Sequence, residues 1–258
     1  MTGLTTNDLF SVRGKVALVT GGSRGIGEMI AAGFLANGAT VYISSRKASV
    51  CDATAVRLAE EHGGTCVSLP ADLSTLAGVD ALAGALRDRE ERLDVLVNNA
   101  GASWGAPIDD FPENGWDKVM DTNVKGVFFL TQRLLPLLEA GATPEVPARV
   151  VNIGSIDGIR TPVFENFSYG PSKAAVHALT RQLAATLVKR NVLVNAIAPG
   201  PIVPPPDMTP EEIAEVAKAT PLGRWGRESE IARAVLFLCE TEFVTGETIR
   251  VDGGRHLE

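Results

Sequence analysis

Seven short runs of apolar and β-branched residues recur along the chain, at 16–20, 40–44, 66–69, 95–98, 150–153, 192–197 and 248–251. Each run is continuous rather than alternating, which predicts strands buried on both faces, as in a parallel sheet. Between them, apolar residues recur with helical spacing at 53–62, 79–92, 116–138, 172–189 and 228–238. Strand then helix, repeated, predicts an α/β fold: a doubly wound parallel sheet of about seven strands, with helices on both faces and right-handed crossovers. No repeat of solenoid period and no dividing linker is present, so the 258 residues read as a single domain.

One segment breaks the alternation. Pro201-Ile202-Val203-Pro204-Pro205-Pro206-Asp207 suits neither helix nor central strand, because its prolines have no amide to donate. Thr209-Pro210-Glu211-Glu212 follows as a capping box with proline at the first helical position. It opens a short amphipathic helix with Ile213, Val216 and Ala217 on one side. The whole region, about 200–222, follows a strand's carboxyl end, where α/β sheets bind ligands, and reads as a lid over a substrate cleft.

Composition narrows the partners. Hydrophobic residues make up 45% of the chain, enough for a sizeable core, and the net charge of −7 excludes nucleic acid and anionic membrane as main partners. The first ten residues are polar with no basic leader, and no apolar run approaches the ~20 residues of a membrane span. Cys51, Cys66 and Cys239 are far apart, without metal or redox spacing. The expectation is a soluble cytoplasmic protein with no metal.

The chemistry begins at "VALVTGGSRGIG", residues 16–27, which reads two ways. Gly21-Gly22-Ser23-Arg24-Gly25 fits the G-x-S-x-G turn of a serine hydrolase, whereas Gly21, Gly25, Ile26 and Gly27 fit a loop that cradles a dinucleotide pyrophosphate. The hydrolase needs a downstream histidine on a loop after a strand. His62, near a helix end, His177, in an apolar helix, and His256, at the terminus, do not supply one. Gly25 and Gly27 serve no purpose in a hydrolase but let a backbone approach phosphates and let helix pack on strand. The dinucleotide reading prevails.

At the end of the second strand stands Ser44-Ser45-Arg46-Lys47, with no acid before Asp52 to bind a ribose 2′-hydroxyl. Arg46, joined by Arg24, suits a 2′-phosphate because a guanidinium donates two hydrogen bonds at once, so the cofactor expected is NADP(H). Downstream, Tyr169 and Lys173 stand four apart at a helix start, on one face. A cation held near the phenol would lower its pKa. Bringing it from about 10 to about 7 takes roughly 4 kcal/mol, which a fixed ammonium together with the cofactor's charge would supply, after which the hydroxyl can exchange a proton with a carbonyl oxygen.

Asn98-Asn99-Ala100-Gly101 after a strand, Asn123 within "DTNVKG" and Ser155 after "RVVNIG" complete a pattern. Across nearly its whole length the chain resembles the short-chain dehydrogenase/reductase family, through TGGSRGIG, NNAG, Asn123, Ser155, YGPSK, Pro199-Gly200 and Asp252-Gly253-Gly254 in order. The resemblance implies a Rossmann-type fold with Tyr169 as general acid/base. Lys173 would lower the tyrosine pKa and hold the nicotinamide ribose, Ser155 would polarise the substrate carbonyl, and Asn123 would support a water-mediated proton path. For the cofactor it implies Gly21, Ser23, Arg24, Gly25, Ile26, Gly27, Ser45, Arg46, Asp72, Leu73, Asn99, Ala100, Gly101, Tyr169, Lys173, Pro199, Gly200 and Ile202. Asp72, in "PADLS", would meet the adenine amine.

Residues 98–124 and 168–184 resemble 3-oxoacyl reductases, notably the rhamnolipid-type branch, while 199–226 is similar to pteridine-reductase-like members. The implied reaction is reduction of a ketone, such as a 3-oxoacyl thioester, to a secondary alcohol. A pterin, sugar or small-ketone reductase and a non-catalytic NADPH-binding regulator remain open alternatives. Trp104, Phe164 and Trp225 are candidates for the cleft wall or simply for packing. The family resemblance implies a homotetramer or homodimer through the apolar helices 116–138 and 172–189 and the C-terminal strand.

Overall fold

The computed structural model describes residues 10–162, 165–204 and 208–257. Strands β1 (Val16–Thr20), β2 (Thr40–Ser44), β3 (Cys66–Ser68), β4 (Val95–Asn98), β5 (Ala148–Ile153), β6 (Val192–Pro199) and β7 (Thr248–Val251) form one sheet in the order β3-β2-β1-β4-β5-β6-β7. Every neighbouring pair is parallel. The chain builds outward from β1 to β3, then returns to β1's other side with β4. That reversal leaves a crevice at the strands' carboxyl ends between β1 and β4.

Eight α-helices are described: α1 (Gly25–Ala36), α2 (Ala48–His62), α3 (Leu76–Arg87), α4 (Glu113–Met120), α5 (Gly126–Ala140), α6 (Tyr169–Leu187), α7 (Pro210–Lys218) and α8 (Glu228–Glu240). Alternation along each strand feeds two cores. Ala17, Val19, Val41, Ile43, Val95 and Val97 meet α1, α2 and α8 on one face. Val16, Leu18, Tyr42, Leu96 and Val150 meet α3, α5 and α6 on the other. Both faces being covered explains why the strands read as continuous apolar runs.

A chain of buried polar groups crosses the second face. Asn98 Nδ2 donates to Asn152 Oδ1 (2.9 Å) and Thr131 Oγ1 (3.1 Å), and Asn152 Nδ2 donates to Thr180 Oγ1 (2.9 Å). It ties α5 and α6 to adjacent strands and fixes their register at the depth of the site.

The strand expectations hold to within two residues at each end, but the helix expected over 116–138 is not continuous. Residues Asp121–Lys125 form a π turn between α4 and α5, with the Gly126 amide donating to the Asp121 carbonyl. The extra residue turns Asn123 inward, where it is buried. Helix α6 opens at Tyr169 itself. The capping box at Thr209 forms as read: Thr209 Oγ1 accepts from the Glu212 amide at 3.2 Å and Glu212 Oε2 accepts from the Thr209 amide at 2.8 Å.

Residues 1–9, Phe164 and the Pro205-Pro206-Asp207 part of the proline segment lie outside the described residues, with the readings made for them. Among the described residues no helix is long and apolar enough to cross a membrane, and no group of three or more His, Cys, Asp or Glu is placed to hold a metal. The three cysteines are free, and burial pushes Cys66 and Cys239 up to about 11 and about 12, so both stay protonated.

Asn152→Ala should destabilise the fold by about 2–3 kcal/mol, because it strips the Asn98 amide and the Thr180 hydroxyl of a buried partner together. Urea unfolding followed by circular dichroism would measure it; an unchanged midpoint would show that the polar chain carries no net stability.

Candidate active site

The glycine turn comes first. Gly21 has φ +65° and a Cβ there would lie 2.8 Å from the Asn99 amide nitrogen. At Gly27 a Cβ would fall 2.3 Å from the Gly21 carbonyl oxygen, so only glycine lets α1 pack against the end of β1. Gly25, at φ +56°, is different: its side-chain position faces open space. Helix α1 starts there with no side-chain cap, so its first amides point into the crevice and favour an anion.

Thr20 and Asn99 lock this turn to β4. Thr20 Oγ1 accepts from the amides of Asn99 (3.0 Å) and Ala100 (2.9 Å), while Asn99 Nδ2 donates to the carbonyls of Thr20 (2.8 Å) and Gly21 (3.3 Å). The Asn99 amide is thus a brace. The hydroxyl of Thr20 is a site residue that sequence reading passed over; its position at the strand end was the available signal.

Beside the turn, the Gly22 amide donates to the Ser44 carbonyl at 3.2 Å, which sets the end of β2 against the loop. Ser44 and Ser45 have buried hydroxyls without a hydrogen-bond partner among the described residues. Arg24 and Arg46 are exposed there, with no acidic partner among the described residues. Two free guanidiniums, two unsatisfied hydroxyls and an uncapped helix end fit a phosphorylated ligand. At the end of β3, Asp72 Oδ1 accepts from the Ser74 amide (3.1 Å) and hydroxyl (2.8 Å), which holds the turn where Leu73 is buried.

The crevice continues into a cleft of about 300 Å³ lined by Ile26, Asn99, Gly101, Ser155, Tyr169, Lys173, Pro199 and Gly200, and by Ala102, Ser103, Ile153 and Gly154. Sequence reading expected the first eight. Ile202, also expected, pairs with Gly226 in a short bridge just beyond Gly200 and is partly buried against the core.

Lys173 is only 5% exposed, and its Nζ donates to the Ile153 carbonyl at 2.8 Å. Burial pulls its pKa down from 10.5 to about 8. Tyr169 lies alongside, its ring centre 5.6 Å from Nζ. The expectation of an acidified phenol is not met by the chain's own groups. Burial pushes Tyr169 up, a hydrogen bond with Ser155 lowers it, and the Asp157 carboxylate raises it again. Removal from water outweighs the neighbouring dipole, so the phenol keeps its proton at neutral pH.

Glycines bring Ser155 to this pair. A Cβ at Gly158 would lie 2.6 Å from the Ala174 amide, and one at Gly170 would lie 3.0 Å from the Asp157 carbonyl, so the turn after β5 rests directly on the first turns of α6. At Gly154 a Cβ would lie 2.0 Å from Nε2 of His177. His177 is buried and held neutral, its pKa lowered to about 4 by burial and by Lys173 and Arg181.

Asn123 is buried beside the cleft, its Oδ1 3.4 Å from where a Cβ at the cleft-lining Gly101 would stand. Its Nδ2 donates to the Ala102 carbonyl and to Ser172 Oγ, both at 2.9 Å, and its Oδ1 accepts from the Ala102 amide at 2.7 Å. Ser172 Oγ passes the contact on to the Tyr169 carbonyl at 2.7 Å. With every polar atom of the amide engaged, Asn123 braces the cleft wall against α6. Ser172 is a second residue that sequence reading missed, because nothing in its neighbours announces a tertiary partner.

Ser23 is no nucleophile. It is buried in the glycine turn, its carbonyl accepting from Thr54 Oγ1 at 3.2 Å. His62 Nε2 lies 4.0 Å from Glu61 Oε2 at the end of α2, and the closer acid–histidine pair, His256 Nδ1 with Asp252 Oδ2 at 2.6 Å, follows β7. That strand is four strand spacings from β1, roughly 19 Å at ~4.8 Å each, beyond any relay.

A phosphate-cradling turn at the sheet's reversal point, opening onto a buried Lys–Tyr pair and a serine, defines a nucleotide-dependent oxidoreductase. The comparisons place it within that class. The family profile described as enoyl-(acyl carrier protein) reductase matches residues 21–256. The rhamnolipids biosynthesis 3-oxoacyl-[acyl-carrier-protein] reductase of Pseudomonas aeruginosa is 49% identical over 96% of this chain and 98% of its own. The 3-oxoacyl-[acyl-carrier-protein] reductase FabG of Thermotoga maritima is 35% identical, covering 94% of this chain and 98% of its own. Among solved structures, the Pseudomonas aeruginosa RhlG/NADP active-site complex superposes with a TM-score of 0.92 at 48% identity, over 96% of this chain and 98% of that one. The chain belongs to the short-chain dehydrogenase/reductase family and is an oxidoreductase of the CH–OH/C=O couple.

The depressed Lys173 pKa gives a signed prediction. Between about pH 8 and 10.5 the unfolded chain holds more protons at this lysine than the folded chain does, so stability rises with pH through that window. Relative to Lys173→Met, the unliganded protein should therefore gain about 2–3 kcal/mol from pH 7.5 to 10. The raised thiols and phenol oppose this equally in both proteins and cancel in the difference. Parallel urea titrations that ran level across the window would refute a buried, depressed lysine.

Proposed function

We propose that this chain reduces the ketone of a 3-oxoacyl thioester to the secondary alcohol with NADP(H) as cofactor. The observation that carries it is the convergence of Tyr169, Ser155 and Lys173 in one cleft continuous with a loop built for phosphate. The residues fit the cofactor along its length. Gly25 and the first amides of α1 receive the pyrophosphate, Arg24, Ser45 and Arg46 the 2′-phosphate, and Asp72 and Leu73 flank the adenine. Gly101, Pro199 and Gly200 line the nicotinamide end. When bound, the nicotinamide supplies the hydride.

The protein's own groups handle the proton. Ser155 and the Tyr169 phenol hydrogen-bond the substrate carbonyl oxygen and polarise it. As that oxygen gains charge it becomes more basic than the phenolate, and the Tyr169 O–H proton moves to it. The raised pKa of the phenol in the unliganded chain suits this role, since the donor keeps its proton until the oxygen can take it. Lys173 then stabilises the phenolate left behind, and its free N–H groups are donors for ribose hydroxyls.

We assign the protein to the cytoplasm as a homotetramer or homodimer, joined through α5 and α6. Light scattering showing a monomer would overturn the assembly.

The decisive experiment is oxidation of NADPH and of NADH, in parallel, with a short 3-oxoacyl thioester. NADPH should be consumed, NADH weakly. Tyr169→Phe should lower kcat about a thousandfold while NADPH still binds. Arg46→Ala should lower kcat/KM for NADPH about tenfold or more and leave NADH nearly unchanged. Equal loss with both nucleotides would refute the 2′-phosphate site, and NADPH binding without turnover would refute the thioester.

A further inference from the structure

The C-terminal turn touches three parts of the cleft at once. The Gly200 amide, at the cleft wall, donates to the Val251 carbonyl at 3.0 Å, and a Cβ at Gly200 would lie 2.7 Å from Asp252 Cα. Asp252 then organises the turn: Oδ1 accepts from the Gly254 amide at 3.1 Å, and Oδ2 accepts from the His256 amide at 2.8 Å and pairs with its ring.

The same turn holds the end of the lid helix. The Leu222 amide donates to the Gly253 carbonyl at 3.1 Å, a Cβ at Gly253 would lie 2.7 Å from Thr220, and the Arg255 guanidinium donates to the Ala219 carbonyl. Helix α7 itself buries no residue completely. Its position is set by these contacts and by Trp225, whose Nε1 donates to the Ile213 carbonyl at 3.0 Å.

The third contact comes from the serine side. Arg160, five residues after Ser155, donates from Nη1 to the Arg255 carbonyl at 3.3 Å. Its Nε lies 3.9 Å from Asp157 Oδ1. Burial pushes the Asp157 carboxyl up, and the charges of Arg160 and then Arg255 pull it back. Arg160 therefore stands between the turn that carries Ser155 and the turn that anchors the lid.

We propose that Arg160 is a positioning residue that sets substrate affinity by clamping the C-terminal turn, and through it the lid helix, to the Ser155 turn. The inference rests on the reading of 200–222 as a substrate loop. Arg160 touches neither the Gly25 cradle nor the Lys173–Tyr169 pair, so its loss should act on substrate retention rather than on nucleotide binding or the proton step.

Arg160→Met keeps the side chain's apolar stem and removes its donors, and Arg160→Lys restores the charge. Arg160→Met should raise KM for the 3-oxoacyl thioester about fivefold or more, with kcat and NADPH Kd within about twofold. Arg160→Lys should recover part of the loss. Hydrogen exchange in 208–222 should quicken in Arg160→Met while the β-sheet amides keep their rates. Unchanged KM with unchanged exchange would overturn the proposal, as would an equal loss in kcat, NADPH affinity and Tm, which marks general damage. The exchange measurement needs no substrate. If the thioester is not turned over by the unaltered protein, faster exchange still supports the clamp and unchanged exchange still refutes it.

Discussion

A buried ammonium is the constraint around which the site is arranged. Lys173 has three donors and uses one, on the Ile153 carbonyl, in a position almost closed to water. A cation so placed is tolerable only if the cleft beside it supplies acceptors, and this is where a substrate oxygen, a phenolate and ribose hydroxyls would come. The same burial holds the Lys173 pKa near 8 and keeps the phenol of Tyr169 protonated. The unliganded pair is therefore a proton donor beside a poorly solvated cation. Each half is stabilised by what the reaction brings.

Such a pair demands rigid support, and the support is built from saturated polar groups rather than from apolar packing alone. Asn99 holds the glycine turn, Asn123 and Ser172 hold the cleft wall to α6, and Asn98, Asn152, Thr131 and Thr180 cross-link the strands to α5 and α6. In each case an amide with its donors engaged fixes orientation as well as distance. The glycines do the complementary work. Where a Cβ would collide, at Gly27, Gly154 and Gly158, two backbones or a backbone and a ring approach more closely than any other residue permits.

The fold was readable because burial on both faces leaves a direct imprint: a strand such as Val16–Thr20 has no polar face to disguise it. The residues assigned to the ligand stand out for a related reason. Glycine at a turn, tyrosine four before lysine and arginine after a strand are local patterns tied to chemistry. What escaped was tertiary. The π turn at Asp121–Lys125 contains neither proline nor glycine, so the helical pattern runs through it unbroken. Ser172 and Thr20 resemble any small polar residue until their partners, 49 and about 80 positions away, are in place. The upward pull of burial on the Tyr169 phenol was also out of reach, because the sequence shows the neighbouring cation but not the depth of burial.

The division between readable chemistry and unreadable support also bears on how one scaffold serves many substrates. The proton and phosphate groups sit at the ends of β1, β2 and β5 and on α6, anchored in the core. Residues 208–222 are bound to the body by contacts to their backbone from Gly253, Arg255 and Trp225, and α7 contributes no fully buried residue. Backbone contacts leave the helix's side chains free to vary without disturbing the attachment. Reaction type is thus written into the rigid half of the cleft. The helix α7 is fastened mainly through its backbone carbonyls, and none of its own side chains is fully buried.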